Sequence, residues 1–394
     1  MHIALFLHFY QPPVQKKDVI IRVVQESYAP IIDGLLKDPE GKITLNITGS
    51  LLLHLEKYGY DKLIDNIAVL VNRGQIELVG SSVHHAFLPK LPKDQIIRQI
   101  RLHEELLHKY FGNELKIRGF FPPEMAFTPQ LGNIVQELGY EWIILDTYAK
   151  RGAHGYAPLY QNKKGMKFFF RNRLISYGLV TEELKNESMF IDMINRISQD
   201  RLYQVIGLDG ETFGHHRPGY ESILAKIYHS RKIKLHTISG LEDLDLKPYI
   251  IQPRKSSWTI LDATRSVQQP FIRWNDPDNE IHHKQWQLTE MACKSPHDDK
   301  SQKRLDRALF SCQYWWACAR PWWHVEMIEA GAHALLNTII YSHATARYKH
   351  KAVDLYHDIV ATAFEWMRTG KMQRRVDVEH EYLQIDKSKL RVNI

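Results

Sequence analysis

Short apolar runs alternate with longer segments of helical periodicity over roughly the first 240 residues of the chain. The first four runs are predicted to be strands, at residues 3–7, 43–48, 75–80 and 115–121. Between and after them, helices are predicted at residues 19–37, 49–58, 61–72 and 94–111. Strands joined by helices pair in parallel, so this alternation predicts an α/β fold whose parallel sheet closes, or nearly closes, into a barrel.

The alternation then weakens and stops near residue 240. Further strands are predicted at residues 142–145, 168–170, 174–177 and 234–237, and helices at residues 129–138 and 188–199. Long helical patterns follow at residues 281–293, 303–318, 323–347 and 351–368, and the basic tail from Lys371 is predicted to be a surface strand or arm. We expect a barrel domain at residues 1–260 and a helical domain at residues 261–394.

The composition is that of a globular protein, with 44% apolar and 25% charged residues in 394. The net charge of +7 is dispersed, with no run of five Lys or Arg, so we do not expect a nucleic-acid partner. Three cysteines, an odd number, favour a reduced, cytoplasmic protein. The N-terminus lacks the basic start of a signal peptide, and no stretch is long and apolar enough to span a membrane.

Two carboxylates lie where a short apolar run ends in the segment YQVIGLDGETFGHHRPG, residues 203–219. Asp209 and Glu211 are two residues apart, and Phe213 and His215 follow. In barrels, the carboxyl ends of the strands are where catalytic groups are placed. The alternative is structural, because Asp-Gly is a common turn pair and Asp209 could cap the helix that is predicted to start near Pro218.

A second carboxylate, Glu124, follows Pro122 and Pro123 at the end of the fourth predicted strand. The two prolines restrict the backbone, as a catalytic group held in one geometry requires. The alternative is that Glu124 caps the helix that begins near residue 129, although Thr128 is better placed for that function.

Polar side chains also end the first and third predicted strands. His8, Tyr10 and Gln11 precede two prolines, and His84 and His85 lie in the segment SSVHHAFLP. Such groups are suited to hydrogen bonds with hydroxyl-rich ligands, and we expect one of the paired histidines to contact a ligand. The alternatives are a proline-defined loop and a structural histidine pair.

Seven of the nine tryptophans lie between residues 258 and 323. Trp315 and Trp316 would be about 100° apart on a helix, so both cannot easily occupy the centre of one buried face. We expect at least one of them to line a groove, where flat aromatic faces stack on sugar rings. The alternative is that all of these tryptophans belong to the core.

Four segments, HFYQPP, GQIELVGSSVHHAFLP, GFFPPEMAFTP and LDGETFGHH, occur in the order and approximate spacing of the conserved regions of glycoside hydrolase family 57. The chain resembles that family over roughly residues 1–330. The resemblance implies a distorted (β/α)7-type barrel followed by a C-terminal helical domain that completes a substrate cleft. It also implies action on α-glucans, since the family includes α-amylases, 4-α-glucanotransferases, branching enzymes and amylopullulanases.

The resemblance assigns roles to matching residues. Glu124 takes the place of the catalytic nucleophile and Asp209 that of the general acid/base, while Glu211 matches a further carboxylate. His8 and His85 match active-site histidines, and with the aromatic residues described above the full set of expected substrate contacts is His8, Tyr10, Gln11, His85, Glu211, Phe213, His215, Gln313, Trp315 and Trp316.

Two carboxylates about 5–5.5 Å apart support double displacement with retention of configuration. Asp209 must then be protonated near neutral pH, and we expect repulsion from Glu211 and Glu124 to raise its pKa. The expected partner is an α-glucan or maltooligosaccharide, with no cofactor and no metal.

Two other functions remain open at this point. Tyr10 stands where many members have a second histidine, and SCQYWW offers Gln313 where an aspartate is often found, which suggests a glucan-binding or regulatory homologue without activity. The second open function is that of a metal-dependent polysaccharide deacetylase. Its metal ligands would come from a set of five residues, His8, His84, His85, Asp209 and His215. The HxxxH pair typical of such sites is missing from the sequence.

Overall fold

The structure is a computed structural model, and it describes residues 1–151, 158–181, 186–197, 201–230, 232–258 and 267–385. Within these ranges, no helix is both long enough and apolar enough to cross a membrane. The described strands are β1 His2–Phe9, β2 Ile43–Ile47, β3 Ile76–Leu78, β4 Gly119–Phe120, β5 Trp142–Asp146, β6 Pro158–Gln161, β7 Lys167–Arg171, β8 Tyr203–Asp209, β9 Lys234–His236 and β10 Lys247–Ile250.

Seven of the described strands form a closed barrel in the order β1-β2-β3-β4-β5-β7-β8. The pairs β1/β2, β2/β3, β4/β5, β5/β7 and β1/β8 are parallel. A parallel bridge between Gly80 and Phe120 joins β3 to β4, and the Asn172 amide donates to the Val205 carbonyl at 2.6 Å beside β7 and β8. The predicted barrel is therefore present, and the antiparallel β6 and its neighbour β10 extend one side of it.

Helices alternate with the barrel strands in the first part of the chain, and the elements described beyond residue 267 are helices. The first group comprises α1 Lys17–Val23, α2 Ala29–Lys37, α3 Gly49–Lys57, α4 Asp61–Asn72, α5 Lys93–Phe111, α6 Pro129–Glu137, α7 Arg173–Thr181, α8 Glu187–Ile197 and α9 Tyr220–Tyr228, with a π-helical turn at Val24–Tyr28 between α1 and α2. The second group comprises α10 Glu280–Lys294, α11 Asp299–Ala308, α12 Cys312–Trp315, α13 Val325–Ile340, α14 Ala346–Arg368 and α15 Lys371–Ile385. Side-chain caps begin several of them, as where the Thr48 hydroxyl accepts from the Leu51 amide at 3.4 Å.

Alternation along the strands separates the inside of the barrel from its outside. In β1, Ala4 and Phe6 belong to the cluster that fills the barrel, whereas Leu5 and Leu7 pack in the cluster under the surrounding helices. In β8, Val205 lies in the inner cluster. His8 and Asp209 are the next inward-facing residues along β1 and β8, at the carboxyl ends of these strands. The alternation of side chains along a strand is therefore enough to direct both toward the barrel axis.

Glycines allow two of the strands to pack against large rings. A Cβ at Gly119 would lie 2.1 Å from the Trp142 ring, and one at Gly80 would lie 2.0 Å from the Tyr140 hydroxyl oxygen. Neither distance is possible without moving the ring. These glycines therefore set how closely β3, β4 and β5 approach one another.

The helical residues beyond 267 share a core with the barrel. One hydrophobic cluster contains Leu88 and Phe127 from the barrel side together with Ile281, Leu335 and Trp366 from the helices. The antiparallel bridge between Ala86 and Phe310 joins the two parts directly. The boundary near residue 260 stays a prediction, but the two parts are packed as one body on this side.

Four local predictions are wrong. The helix predicted at residues 323–347 ends at Ile340, and α14 starts at Ala346 because the Thr345 side chain accepts from the Tyr348 amide. The segment at residues 174–177 is not a strand but part of α7, because the Asn172 side chain accepts from the Ile175 amide at 3.1 Å and starts a helix. The helix predicted at residues 303–318 is interrupted between α11 and α12, where Phe310 pairs with the barrel. The tail from Lys371 begins as the helix α15, because the Arg375 guanidinium is held by the buried Asp276 carboxylate at 2.5 Å.

Candidate active site

The inward-facing residues at the carboxyl ends of five strands are polar. They are His8 in β1, Asn46 in β2, Asp146 in β5, Arg171 in β7 and Asp209 in β8. A cleft of ≈ 460 Å³ opens above this layer. The residues that line it are His8, Tyr10, Gln11, Pro12, Gln15, Val19, Val23, His85, Glu124, Asp209, Glu211, His215, His216, Trp258, Cys312, Trp315, Trp316, His324 and Met327.

Glu124 is held in an unusual backbone conformation at one wall of the cleft. Its φ is 63° and that of Met125 is 46°, in the left-handed region that residues other than glycine rarely adopt. Trp258 holds Glu124 twice, because its backbone amide donates to the Glu124 carbonyl at 3.0 Å and its indole Nε1–H donates to Oε2 at 3.0 Å. The side chain of Glu124 is 12% exposed, so its carboxylate is fixed and largely dry.

Burial raises the pKa of Glu124 to about 8. The indole of Trp258 opposes this rise, the charge of Asp209 adds to it, and Arg273 and the Ser311 hydroxyl lower the pKa to a smaller extent. Burial thus favours the neutral carboxylic acid near pH 7. A nucleophile must be ionised, so the role expected of Glu124 needs hydrogen-bond donors that offset its desolvation.

Asp209 is the last residue of β8, and its side chain is open to the cleft. The protein around the cleft nevertheless desolvates the Asp209 carboxyl group. This desolvation raises the pKa of Asp209, and the positive charge of Arg171 lowers it. The rise has the predicted direction. Its largest cause is burial, however, and not the predicted repulsion from Glu211 and Glu124.

Glu211 is held beside Asp209 by two donors. The Gln11 amide donates to Oε1 at 2.8 Å, and the Tyr28 hydroxyl donates to the same oxygen. Burial raises the pKa of Glu211, and the charge of Asp209 raises it further. Oε2 is buried and has no hydrogen-bond partner among the described residues.

His8 and His85 form a buried pair next to the two proposed catalytic residues, since His8 pairs with Asp209 in the sheet and His85 lies 4.0 Å from Glu124. Their Nε2 atoms are 3.1 Å apart, His8 Nδ1 lies 2.8 Å from Asn46 Oδ1, and His85 Nδ1 lies 2.9 Å from Ser311 Oγ. Burial lowers the pKa of His8 to about 3 and that of His85 well below its usual range. Both rings are therefore neutral at physiological pH.

Tyr10 stacks on His85, with ring centroids 4.0 Å apart and an interplanar angle of 19°. Its hydroxyl lies 3.1 Å from Cys312 Sγ in α12. Tyr10 thus lies between His85 of the barrel and Cys312 of the helices beyond residue 267.

Of the two neighbouring histidines, His85 lines the cleft and His84 does not. His84 is 5% exposed, and the groups that lower its pKa after burial are Arg307, His103 and His54, away from the cleft. In the part of the chain that the structure describes, no group of three or more His, Cys, Asp or Glu is placed to hold a metal ion. The donor set suggested for a metal-dependent deacetylase is therefore not assembled by these residues.

The helices beyond residue 267 form one side of the cleft. Trp315 and Trp316 line it together with Cys312, His324 and Met327, whereas Trp322 stacks behind Trp315 with centroids 5.9 Å apart. On the barrel side, His215 lies at the cleft rim, with Nδ1 at 2.5 Å from Glu26 Oε2. Aromatic and imidazole groups from both parts of the chain thus line the cleft.

Two expected substrate contacts lie outside the cleft. Phe213 is 2% exposed and belongs to the cluster under the outer helices. Gln313 is 0% exposed, and its amide donates to the carbonyls of Ala308 at 2.8 Å and Phe310 at 3.1 Å. A side chain without exposed surface in the cleft cannot reach a sugar, so the structure does not support substrate contact by either residue.

The residues of the site that were not predicted include Asn46, Arg171, Trp258 and Ser311, which contact the predicted ones. Asn46 and Arg171 carried a usable signal, because each is a polar residue close to the carboxyl end of a predominantly apolar strand. Trp258 and Ser311 lie in irregular segments between the elements, where the sequence carries no periodic signal that would place them beside Glu124.

Comparison with known proteins agrees with this architecture. At 30% identity over 146 residues, the chain matches a protein named alpha-amylase 1 from Dictyoglomus thermophilum, across 37% of this chain and 21% of that protein. It is 25% identical over 227 residues to a protein named 4-alpha-glucanotransferase from Thermococcus litoralis, across 56% of this chain and 34% of that protein. The matches thus span only about a fifth to a third of these curated relatives.

Solved structures show the same fold. That of a 4-alpha-glucanotransferase from Thermococcus litoralis aligns with a TM-score of 0.67 at 17% identity, over 86% of this chain and 60% of that chain. A GH57-type branching enzyme from Pyrococcus horikoshii aligns with a TM-score of 0.64 at 17% identity, over 96% of this chain and 95% of the other. The model of glycosyl hydrolase family 57 matches residues 6–252, more than half of the sequence. The chain therefore belongs to glycosyl hydrolase family 57.

Proposed function

We propose that this chain is a retaining α-glucan-active glycosidase or transglycosidase, of the α-amylase or 4-α-glucanotransferase type. The observation that carries the proposal is that Glu124 and Asp209, 85 positions apart in the sequence, line one cleft at the carboxyl ends of the barrel strands. Membership in a family that includes proteins named alpha-amylase and 4-alpha-glucanotransferase supports the substrate class.

In the first step, the Glu124 carboxylate attacks the anomeric carbon and the bond to the leaving oxygen breaks. Asp209 gives its proton to that oxygen. In the second step, the Asp209 carboxylate takes a proton from water or a sugar hydroxyl, whose oxygen attacks the anomeric carbon and releases Glu124. Two inversions give net retention. Burial raises the pKa of Asp209, as the acid of the first step requires, but it also raises that of Glu124 to about 8. The assignment of the two roles therefore rests on the positions of the two residues in the family motifs and not on their pKa values.

The roles are tested by removing each carboxylate and adding azide. In Glu124→Ala no glycosyl-enzyme can form, so turnover should be lost and azide should attack the anomeric carbon directly, giving a product of inverted configuration. Asp209→Ala should still attack substrates with good leaving groups, and azide should then give a product of retained configuration. The exposed Glu114→Ala is the matched control and should keep full activity.

Opposite stereochemistry in the two variants would exchange the roles of Glu124 and Asp209. Full activity in either variant would remove that residue from the mechanism. Binding of maltooligosaccharides without turnover by the unaltered chain would instead identify a glucan-binding homologue. Product analysis on a labelled maltooligosaccharide series separates hydrolysis from transfer, because transfer also produces oligosaccharides longer than the substrate.

A further inference from the structure

A series of buried side chains leads from Asn46 in β2 through His8 and His85 to Ser311, whose hydroxyl is a hydrogen-bonding neighbour of the Glu124 carboxyl group. The links are 2.8 Å from Asn46 to His8, 3.1 Å from His8 to His85 and 2.9 Å from His85 to Ser311. His85 Nδ1 itself lies 4.0 Å from Glu124 Oε1, the carboxylate oxygen that Trp258 does not bind. Asn46, His8, His85 and Ser311 are each at most 3% exposed.

The hydrogen bonds along this series of side chains can run in either of two directions, because each neutral imidazole carries one N–H. In one setting His8 donates to the Asn46 oxygen, His85 donates to His8, and the Ser311 hydroxyl donates back to His85. Glu124 then receives no hydrogen bond from this series. The Asn46 Nδ2 group is also left buried with no partner among the described residues, which is a costly state for a donor.

The reverse setting follows from turning the Asn46 amide by 180°, which exchanges its oxygen and nitrogen. Asn46 then donates to His8 Nδ1, His8 Nε2–H donates to His85, and His85 Nδ1–H donates to Ser311. The Ser311 hydroxyl is free to donate to Glu124. This setting satisfies the Asn46 donor, and an acceptor left without a partner costs less than a donor. It also offers the desolvated Glu124 carboxylate a second donor besides Trp258.

We infer that Ser311 is a positioning residue for the nucleophile, and that the tautomers of His8 and His85 direct its hydroxyl proton toward Glu124. The role as nucleophile rests on the proposed function. The direction of the hydrogen bonds does not, because it is a property of the protein without substrate.

The direct test is the tautomeric state of the two histidines. In the full chain labelled with 15N-histidine, at pH 7, His85 should carry its proton on Nδ1 and His8 on Nε2. Signals are assigned with the His8→Gln and His85→Gln variants. Protons on Nε2 of His85 and Nδ1 of His8 would overturn the inference. Since no substrate is present, this result does not depend on whether the chain is a glycosidase.

The second test is the pH profile of Ser311→Ala. The charged and titratable groups that face Glu124 are Asp209, Arg273, Tyr10, Cys312 and His85. They are unchanged in this variant, so a shift reports the lost donor. Removing a donor from a carboxylate raises its pKa, so the acidic limb of kcat/KM should move to higher pH.

We expect kcat of Ser311→Ala to fall by about 10- to 100-fold with little change in KM. Ser311→Thr keeps the hydroxyl and should restore the acidic limb to its original position. A Ser311→Ala profile that coincides with that of the unaltered protein would overturn the inference. If the tautomers are as expected but Glu124→Ala keeps full activity, the proposed function fails while the direction of the hydrogen bonds stands.

Discussion

Glu124 combines a left-handed backbone with a desolvated carboxyl group, and each is unfavourable in isolation. The backbone conformation costs on the order of 1–3 kcal/mol. Trp258 donates hydrogen bonds to both the backbone carbonyl and the carboxylate of Glu124. The two prolines before Glu124 restrict the backbone conformation of the segment that leads to it. A glutamate by itself does not favour a left-handed backbone, so contacts from distant parts of the chain must stabilise this conformation, as is typical of functional sites.

The raised pKa of Glu124 makes stability depend on pH. Between its ordinary value of 4.5 and about 8, the folded protein keeps a proton that the unfolded chain releases. The free energy of unfolding therefore falls as pH rises through this window. Glu124→Gln removes the effect and should be more stable than the unaltered protein at pH 8, by about 4 kcal/mol, with little difference below pH 4.5.

Urea unfolding at a series of pH values measures this difference. The exposed Glu114→Gln is the control and should follow the pH dependence of the unaltered protein. Equal stability of Glu124→Gln and the unaltered protein at pH 8 would show that the carboxyl group is not desolvated.

At the scale of elements, Arg171 joins strands that are distant in sequence. Its guanidinium donates to Asp146 in β5 at 2.8 Å, to the Gly207 carbonyl in β8 at 3.1 Å and to the Trp258 carbonyl at 2.7 Å. Gly207 is two residues before Asp209, and Trp258 holds Glu124. One buried cation thus connects the supports of both proposed catalytic carboxylates.

Arg171→Met should destabilise the fold by about 3–5 kcal/mol, because it leaves Asp146, which is 0% exposed, with the longer contacts to Arg173 at 3.3 Å. Lys93→Met is the matched control, since Lys93 and Glu137 form an exposed pair at 2.8 Å. Its loss should be at most about 1 kcal/mol. Equal losses in chemical denaturation would contradict the structural role of Arg171.

At the scale of the whole molecule, the shared core predicts cooperative unfolding. The cluster that joins Leu88 and Phe127 to Ile281 and Leu335 is completed by residues of both parts. We expect one calorimetric transition, with a van't Hoff enthalpy equal to the calorimetric enthalpy. Two separated transitions, or a stable fragment of residues 1–260, would show that the helical domain folds independently.

The aromatic side of the cleft makes a separate prediction. Trp316→Ala should weaken maltooligosaccharide binding by about 1–3 kcal/mol, because it removes a half-buried ring that lines the cleft. Tyr341→Ala removes a ring that is 58% exposed and is not among the residues that line the cleft, and should leave affinity unchanged. Isothermal titration with an inactive Glu124→Ala background measures both, and equal affinities would exclude Trp316 from binding.

The sequence was sufficient for much of the architecture. Apolar periodicity predicted the strands of the barrel and most of its helices, because strand and helix periods are local properties of the chain. It also placed His8, Glu124 and Asp209 at strand ends. Where a capping side chain decided between strand and helix, as at Asn172, periodicity alone failed.

The tertiary structure alone decided which groups meet. Barrel closure brings β8 beside β1, so that His8 is paired with Asp209, and β2 lies on the other side with Asn46. It also buried Gln313 and Phe213, which local sequence placed among active-site motifs. The Ser311 and Trp258 side chains reach Glu124 from segments more than 130 residues away in the sequence. Local periodicity determines the elements, but desolvation and hydrogen bonding in the cleft depend on neighbours that only the closed barrel and the packed helices supply.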